Sequence, residues 1–301
     1  MKGMEMAREL YENVFRDALA TEFAPWEERI AVGLAGPGSE CFGFDDEISR
    51  DHDLVPRVCL WLTEKDLAEI GPRLQRRYDE LTADLPQPSE AARDRSGVIG
   101  TAEFYRRFTG RPGAPDGPMQ WMRVSDRYLA CAVNGEVFRD DLGEFSAIRR
   151  EISKGYPPDV RRKKLAARLF TMGQAGQYNL PRCMKRGDAV ASALALSEFI
   201  RAALGAIYLL NGRYAPFYKW LYRGALDLPL CRDAVAAAGE LADCPKRERE
   251  ERVESICAML LPQLRLQGLS DTDGDFMVDQ AFSVAAGIED PQLAALDVSI
   301  G

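Results

Sequence analysis

Residues 29–62 read RIAVGLAGPGSECFGFDDEISRDHDLVPRVCLWL, and this stretch carries the clearest fold signal in the chain. The apolar run from Arg29 to Ala35 predicts a short strand, and the glycine- and proline-rich GPGS after it predicts a tight turn. A polar, acidic loop then leads to the run from Asp51 to Leu62, which predicts a second strand with an edge position or a bulge at Pro56. Strand, glycine turn, acidic loop and strand therefore follow one another in the first unit of the fold.

Helix and strand signals alternate around this stretch as far as about residue 142. Apolar residues at helical spacing predict an amphipathic helix over residues 5–20. Thr63 followed by Asp66 resembles a capping box, which predicts a helix start. Further on, GVIGTAEF predicts a strand that leads into a short helix, and a helix from Ser125 to Val133 precedes the predicted strand GEVFRD.

Beyond residue 142 nearly every segment has helical periodicity. The predicted helices cover residues 144–153, 158–177, 187–210, 216–223, 231–238 and 246–267, and a final stretch from residue 275. We therefore predict an α+β fold, with a small mixed-sheet domain over residues 1–142 and an all-helical domain over residues 143–301. We expect the helical domain to form the other wall of a cleft.

The composition is that of a folded globular protein, with 46% hydrophobic and 29% charged residues. The 39 Lys and Arg against 47 Asp and Glu give a net charge of −8, which disfavours nucleic-acid polymerases and tRNA-tailing enzymes. Seven cysteines without a C-x-x-C pair, and an N-terminus without a signal-like apolar run, predict reduced thiols and a cytoplasmic location. The apolar stretch from Ala189 to Leu210 contains Glu198 and Arg201, so it predicts a buried helix and no membrane partner.

The residues of the opening stretch suit phosphate and metal chemistry. Gly38 and Ser39 form a turn whose backbone N–H groups and hydroxyl can approach phosphate oxygens. Asp51 and Asp53, two residues apart on a predicted strand, project from the same face and can share a hard cation such as Mg²⁺ with substrate phosphates. His52 faces the other way and is interpreted as a packed or hydrogen-bonded histidine. As the sole histidine, it excludes multi-histidine zinc and iron sites.

The spacing of Gly38-Ser39 and Asp51-x-Asp53 resembles the signature of the nucleotidyltransferase superfamily, which includes polymerase-beta-like and antibiotic-modifying enzymes. The strings GSECFGFDDEISRDHD, GEVFRDDLGEF and RYAPFYKWLY look like the bacterial domain-of-unknown-function family numbered 4037, a group within that superfamily. This resemblance covers most of the first 225 residues. It implies a nucleotidyltransferase-type sheet domain in which Gly38 and Ser39 bind a nucleoside triphosphate and Asp51 and Asp53 bind Mg²⁺. The implied reaction moves a nucleoside monophosphate to a hydroxyl acceptor, either a small molecule or a protein.

Superfamily enzymes commonly add a third carboxylate from a neighbouring strand, as metal ligand or base. Glu103, just past the predicted strand Val98 to Thr101, is our catalytic candidate, and Glu136 and Asp140 on the last strand are alternatives. That predicted strand itself carries no acid. A second hypothesis therefore stays open, in which the protein binds a nucleotide or a partner on the same fold and transfers nothing.

The run RYAPFYKW, residues 213–220, concentrates cations and aromatic rings in the helical domain. Helical domains of antibiotic-type relatives close over the cleft, which implies that Lys219 meets phosphate and that Tyr218 contacts the nucleotide. For the aromatic residues the alternative is packing in the core, and it applies to Tyr214, Phe217 and Trp220.

Overall fold

The structure is a computed structural model that describes residues 1–51 and 55–301, without the side chains of residues 50, 51, 91 and 93. The predicted α+β architecture is confirmed, because a small mixed sheet lies in the N-terminal part and helices follow it. Contacts divide the chain into two compact units. We call residues 1–115 with 128–154 the sheet unit, and residues 116–127 with 155–301 the helical unit.

The sheet unit holds four described strands, β1 (Ala31–Leu34), β2 (Cys59–Leu62), β3 (Gly97–Gly100) and β4 (Glu136–Arg139). The helices up to residue 153 are α1 (Gly3–Leu10), α2 (Arg16–Glu22), α3 (Ser39–Phe42), α4 (Glu64–Leu81), α5 (Thr101–Thr109), α6 (Pro118–Arg123), α7 (Asp126–Val133) and α8 (Glu144–Ser153). A π-helical segment, Tyr11–Phe15, joins α1 to α2. The helix predicted over residues 5–20 is thus confirmed as one continuous helical stretch.

The strand order is β3-β2-β1-β4, with β1 antiparallel to both of its neighbours and β2 parallel to β3. Leu34, at the end of β1, pairs with Glu136 at the start of β4, while Gly33 pairs with Cys59 at the start of β2. Cys59 in turn pairs with Gly97 at the start of β3. The end of β1 and the starts of the other three strands therefore lie at one end of the sheet, which we call the turn end.

The strand predicted from Asp51 to Leu62 is wrong at its start, because β2 begins only at Cys59. Asp51 instead closes a 3₁₀ helix, Ile48–Asp51. The Asp46 carboxylate accepts hydrogen bonds from the Ser49 backbone N–H at 2.9 Å and the Ser49 hydroxyl at 3.0 Å, and these local bonds favour a turn over an extended strand. Asp53 and His52 lie outside the described residues.

The start of α4 was predicted correctly from its local sequence. The Thr63 side chain accepts a hydrogen bond from the Asp66 N–H at 3.1 Å, and its hydroxyl donates to the Asp66 carboxylate at 2.7 Å. This confirms the predicted cap, which satisfies backbone donors that the first helical turn leaves open. The buried Asp66 carboxylate also forms an ion pair with Arg29.

Aromatic packing anchors α5 and α8 to the sheet. The Trp61 ring of β2 stacks on Phe145 of α8, with centroids 3.9 Å apart, and contacts Phe104 of α5 edge-on at 5.5 Å. The Tyr105 hydroxyl donates to the Phe145 carbonyl at 2.9 Å. Buried aromatic rings contribute large apolar areas, so this cluster is a principal part of the sheet unit's core.

The helical unit is built mainly from the helices after residue 155. They are α9 (Pro158–Thr171), α10 (Leu180–Lys185), α11 (Ala189–Leu210), α12 (Tyr218–Ala225), α13 (Arg232–Ala242), α14 (Arg249–Leu266), α15 (Met277–Ala286) and α16 (Pro291–Ala294). Among the described residues, α11 alone is long and apolar enough to cross a membrane, and 61% of its apolar window is buried. Its last two turns are almost wholly buried against the other helices, so the predicted core helix is confirmed.

Candidate functional site

The turn after β1 is held in place at Gly36. The Asn134 side chain accepts a hydrogen bond from the Gly36 N–H at 2.9 Å and donates one to the Gly36 carbonyl at 2.6 Å. Arg149 donates to the Asn134 carbonyl at 2.7 Å, which fixes Asn134 in turn. Gly36 has a φ of 127°, a conformation that glycine adopts without strain. The turn is therefore tied to the segment that precedes β4, at the turn end of the sheet.

A buried ion pair between Arg57 and Glu40 fills the space next to Gly38. The Arg57 guanidinium donates to the Glu40 carboxylate, and these side chains are only 4% and 7% exposed. A Cβ at residue 38 would overlap with that carboxylate. Burial lowers the pKa of Arg57, but the charge of Glu40 and its hydrogen bond outweigh this and raise the pKa above its ordinary value. Glycine at residue 38 is thus required by a charged pair beneath the turn.

Ser39 opens the one-turn helix α3 and is half-buried. Its carbonyl accepts a hydrogen bond from the Phe44 N–H at 2.9 Å, which closes the turn. Within the described residues no protein group bonds to its hydroxyl, so that hydroxyl is available to a ligand.

Asp51 lies at the end of the 3₁₀ helix Ile48–Asp51, eight residues before β2 begins at Cys59. The hydrogen bonds from Ser49 hold the pKa of the Asp46 carboxyl below its ordinary value, so the capped 3₁₀ helix that ends at Asp51 keeps an ionised cap at neutral pH. Because β1 and β2 are antiparallel, the start of β2 at Cys59 lies beside the end of β1, which leads into the Gly38-Ser39 turn. In the described part of the chain no group of three His, Cys, Asp or Glu residues could hold a metal, and the Mg²⁺ site expected at Asp51 and Asp53 stays a prediction.

A cavity of about 270 Å³, which we call the turn cavity, lies beside this turn. Its described lining is Ala35, Pro37, Ile99, Phe104 and Phe108 on the apolar side, with Asp94, Arg95 and Arg107 on the polar side. Arg107 donates to the Asp94 carbonyl at 2.5 Å and lies 3.7 Å from its carboxylate. Arg107 also pairs with Glu103, so two arginines are matched by two carboxylates, and the guanidinium groups supply hydrogen-bond donors beside an apolar wall.

Glu103, the predicted third carboxylate, lies in the first turn of α5, which follows the opposite end of β3. It is 47% exposed and pairs with Arg106 at 2.8 Å and Arg107 at 3.5 Å. The structure therefore places Glu103 on a helix surface among arginines, and its catalytic role stays a prediction.

The two alternative carboxylates are placed differently from each other. Glu136 starts β4 at the turn end and forms an ion pair with Arg8. Asp140 accepts hydrogen bonds from the Gly143 N–H at 3.0 Å and the Ser146 N–H at 2.7 Å, so it stabilises the start of α8. Of the two, only Glu136 lies at the same end of the sheet as Gly38.

Lys219 and Tyr218 lie in the first turn of α12, in the helical unit. Lys219 is exposed, with its Nζ 5.3 Å from the Trp220 ring centroid. Tyr218 is 85% exposed and lines a cavity of about 330 Å³, which we call the helical-unit cavity. Its other described lining residues are Ser125, Asp126, Arg127, Arg168, Thr171, Glu198, Arg201, Ala202, Gly205, Ala215, Pro216, Phe217 and Leu221. Nucleotide contacts of Lys219 and Tyr218 stay predictions.

A charged cluster behind this cavity was not predicted from the sequence. The Asp126 carboxylate accepts hydrogen bonds from the Tyr156 hydroxyl at 2.5 Å, Lys164 at 3.1 Å and Arg168 at 3.3 Å. Burial raises the pKa of Asp126, but the charges of Lys164 and Arg168 outweigh burial and hold the pKa below its ordinary value. Burial and the adjacent Asp126 raise the pKa of the Tyr156 hydroxyl well above its usual range. The sequence signal that could have indicated this cluster is the pair Lys164 and Arg168, which lie four residues apart on one face of α9.

Comparison with known families supports part of the expected resemblance. The sequence model of the family described as Domain of unknown function (DUF4037) matches residues 121–221. This range begins in α6, ends in α12 and includes every described residue that lines the helical-unit cavity. No curated protein and no solved structure matches the chain.

Proposed function

We propose that the protein is a Mg²⁺-dependent nucleotidyltransferase that binds a nucleoside triphosphate at the turn end of the sheet. The observation that carries this proposal is the antiparallel pairing of β1 with β2. This pairing brings the end of β1, which leads into Gly38 and Ser39, beside the start of β2, which follows Asp51 and Asp53. A phosphate-binding turn and a pair of carboxylates at one sheet end are the parts that such an enzyme needs.

The proposed phosphate contacts use a turn that is already rigid. Gly36 is bonded to Asn134, and Glu40 and Arg57 fix the space around Gly38. The backbone N–H groups of Gly38 and Ser39 and the Ser39 hydroxyl therefore need little reorganisation to meet phosphate oxygens. The arginines of the turn cavity supply guanidinium donors beside them, and its apolar wall suits a nucleobase.

Asp51 and Asp53 are the proposed Mg²⁺ ligands. When bound, Mg²⁺ neutralises phosphate charge and favours in-line displacement at phosphorus. In the transfer, the acceptor oxygen bonds to the α-phosphorus, the bond to the pyrophosphate oxygen breaks, and the acceptor proton passes to a carboxylate base. Glu136, which starts β4 at the turn end, is the candidate base that this placement favours. Glu103, on α5 after the opposite end of β3, remains the candidate from the sequence. The acceptor is a hydroxyl of a small molecule or a protein.

Pyrophosphate release tests the proposal. The full chain is incubated with Mg²⁺ and each of ATP, GTP, CTP and UTP, with a panel of hydroxyl acceptors that includes sugars, aminoglycosides and serine- or tyrosine-containing proteins. We expect release with one nucleotide and one acceptor class, and a loss of about a hundredfold or more in Asp53→Asn, equivalent to about 2.7 kcal/mol. The matched control Asp84→Asn changes an exposed carboxylate and should retain activity.

Two results would contradict the proposal. Mg²⁺-dependent nucleotide binding without pyrophosphate release from any acceptor would favour the alternative, a catalytically silent nucleotide-binding or partner-binding protein. Release that persists unchanged in Asp53→Asn would place the chemistry elsewhere in the chain.

A further inference from the structure

We propose that the helical-unit cavity is a binding site for a small oxyanion, a phosphate monoester or a carboxylate, attached to a flat ring. All of the residues that form this cavity belong to the helical unit. The inference therefore does not depend on the nucleotidyltransferase proposal, which concerns the sheet unit.

The charge balance of the cavity favours an anion. Its described lining contains three arginines, Arg127, Arg168 and Arg201, against two carboxylates, Asp126 and Glu198. Both carboxylates are already engaged by cations: Arg201 Nη2 contacts the two Glu198 oxygens at 2.6 and 2.5 Å, and Lys164 and Arg168 bond to Asp126. In a chain of net charge −8, this cavity is therefore a local concentration of positive charge.

Contacts in the cavity wall hold the Arg168 side chain in an orientation that suits ligand binding. Its Nη2 donates to Asp126 at 3.3 Å. Its stem crosses Gly205 of α11, where a Cβ would lie 3.0 Å from Nε and 3.1 Å from Cδ. Within the described residues Nε and Nη1 donate to no protein acceptor, and the side chain is 30% exposed. Arg168 thus has free donors, and its orientation is fixed before any ligand arrives.

Asp126 serves to orient Arg168 and not to repel an anion. Lys164 is only 4% exposed, and its ammonium bonds to Asp126 at 3.1 Å while lying 5.0 Å from the Tyr156 ring centroid. The Tyr156 hydroxyl donates to the same carboxylate. One negative charge is therefore shared by two cations and a hydroxyl, which leaves a net positive cluster beneath the cavity.

The rim of the cavity is aromatic. Phe217 and Tyr218 lie at the start of α12, and the Arg127 guanidinium lies 5.8 Å from the Phe217 ring centroid. Tyr218 is 85% exposed, which is unusual for so large a ring. Aromatic side chains beside arginines are suited to stacking on a flat ring whose anionic substituent meets the guanidinium groups. A volume of about 330 Å³ matches a small ligand.

Titration of the full chain with phenyl phosphate, benzoate and the neutral benzamide tests the inference. At low ionic strength we expect an oxyanion to bind and benzamide not to bind, with the affinity falling as salt is added. Comparing phenyl phosphate with benzoate shows which anion the site prefers. We expect Arg168→Gln to weaken oxyanion binding about tenfold or more, and Arg201→Gln and Tyr218→Ala about three- to tenfold.

The matched controls are Arg265→Gln and Tyr178→Ala, which change an exposed arginine and a partly exposed tyrosine outside this cavity. Both should bind the oxyanion as the wild type does. Arg201 and Tyr218 are exposed, so their variants keep the test decisive if Arg168→Gln fails to fold. The inference is overturned if neither oxyanion binds at millimolar concentration, if benzamide binds equally well, or if Arg201→Gln and Tyr218→Ala both bind like the wild type.

Discussion

The carboxylate of Glu40 lies so close to Gly38 that no Cβ fits at residue 38. Glu40 cannot move aside freely, because its carboxylate is paired with the buried guanidinium of Arg57. The glycine of the proposed phosphate-binding turn is therefore a packing requirement of the buried pair, since its backbone has an extended conformation that other residues also adopt.

This relationship predicts the effect of Gly38→Ala. The added methyl group must displace Glu40 from Arg57, so we expect the free energy of unfolding to fall by about 1–3 kcal/mol and nucleotide binding to weaken. Urea denaturation and calorimetric titration measure the two effects. Gly113→Ala is the matched control, because a Cβ there meets nothing within 4 Å. A Gly38→Ala protein as stable as the control would contradict the packing argument.

Replacing only one partner of the Glu40–Arg57 pair should strongly lower the free energy of unfolding. Nε and Nη1 of Arg57 meet no hydrogen-bond acceptor in the described part of the chain, so Glu40→Gln leaves a buried cation with little compensation. We expect a loss of about 3–5 kcal/mol in the free energy of unfolding. The double variant Glu40→Gln/Arg57→Met should lose clearly less than the sum of the single losses, since it removes the charge as well. Additive losses in a urea double-mutant cycle would show that the two residues act independently.

Asp126 should make the stability of the helical unit depend on pH. Its folded-state pKa is depressed, so its ionised form stabilises the fold above the unfolded-state value of about 3.9. That contribution is lost as the pH falls through the lower folded-state pKa. We expect Asp126→Asn to cost about 3–5 kcal/mol between pH 5 and about pH 8, because Lys164 is left buried without its anion.

The check is urea unfolding of wild type and Asp126→Asn at several pH values. The difference between the two proteins should be constant at neutral pH and should shrink below about pH 4. A difference that stays the same in acid, or that grows, would mean that the Asp126 charge does not stabilise the fold.

Features set by neighbouring residues were predictable from the sequence. The apolar run that forms β1, the cap of α4 by Thr63 and the buried helix α11 each follow from a local pattern, and the structure has all three. The start of β2 was not predictable in this way. Asp51 closes a 3₁₀ helix that bonds at Asp46 and Ser49 support, and residues 55–58 have no regular secondary structure.

The contacts that support the candidate site join residues far apart in sequence. Asn134 bonds to Gly36, 98 residues away, and Asp126 bonds to Lys164, 38 residues away. No periodicity or spacing rule links such residues, because the pairing exists only after the strands and helices have packed. The sequence therefore predicted the turn after β1, whereas the side chains that hold this turn and the charged cluster of the helical unit were missed. The roles of Asp51 and Asp53 stay predictions.

Calorimetric titration of nucleoside triphosphates with Mg²⁺ shows whether the turn end of the sheet binds a nucleotide. We expect at least one of ATP, GTP, CTP and UTP to bind the wild-type chain in the presence of Mg²⁺. We also expect Asp51→Asn/Asp53→Asn, or removal of Mg²⁺, to weaken that binding about a hundredfold or more, equivalent to about 2.7 kcal/mol. Failure of all four nucleotides to bind the wild type, or equal affinity in the double variant, would contradict the assignment of this sheet end as a nucleotide site.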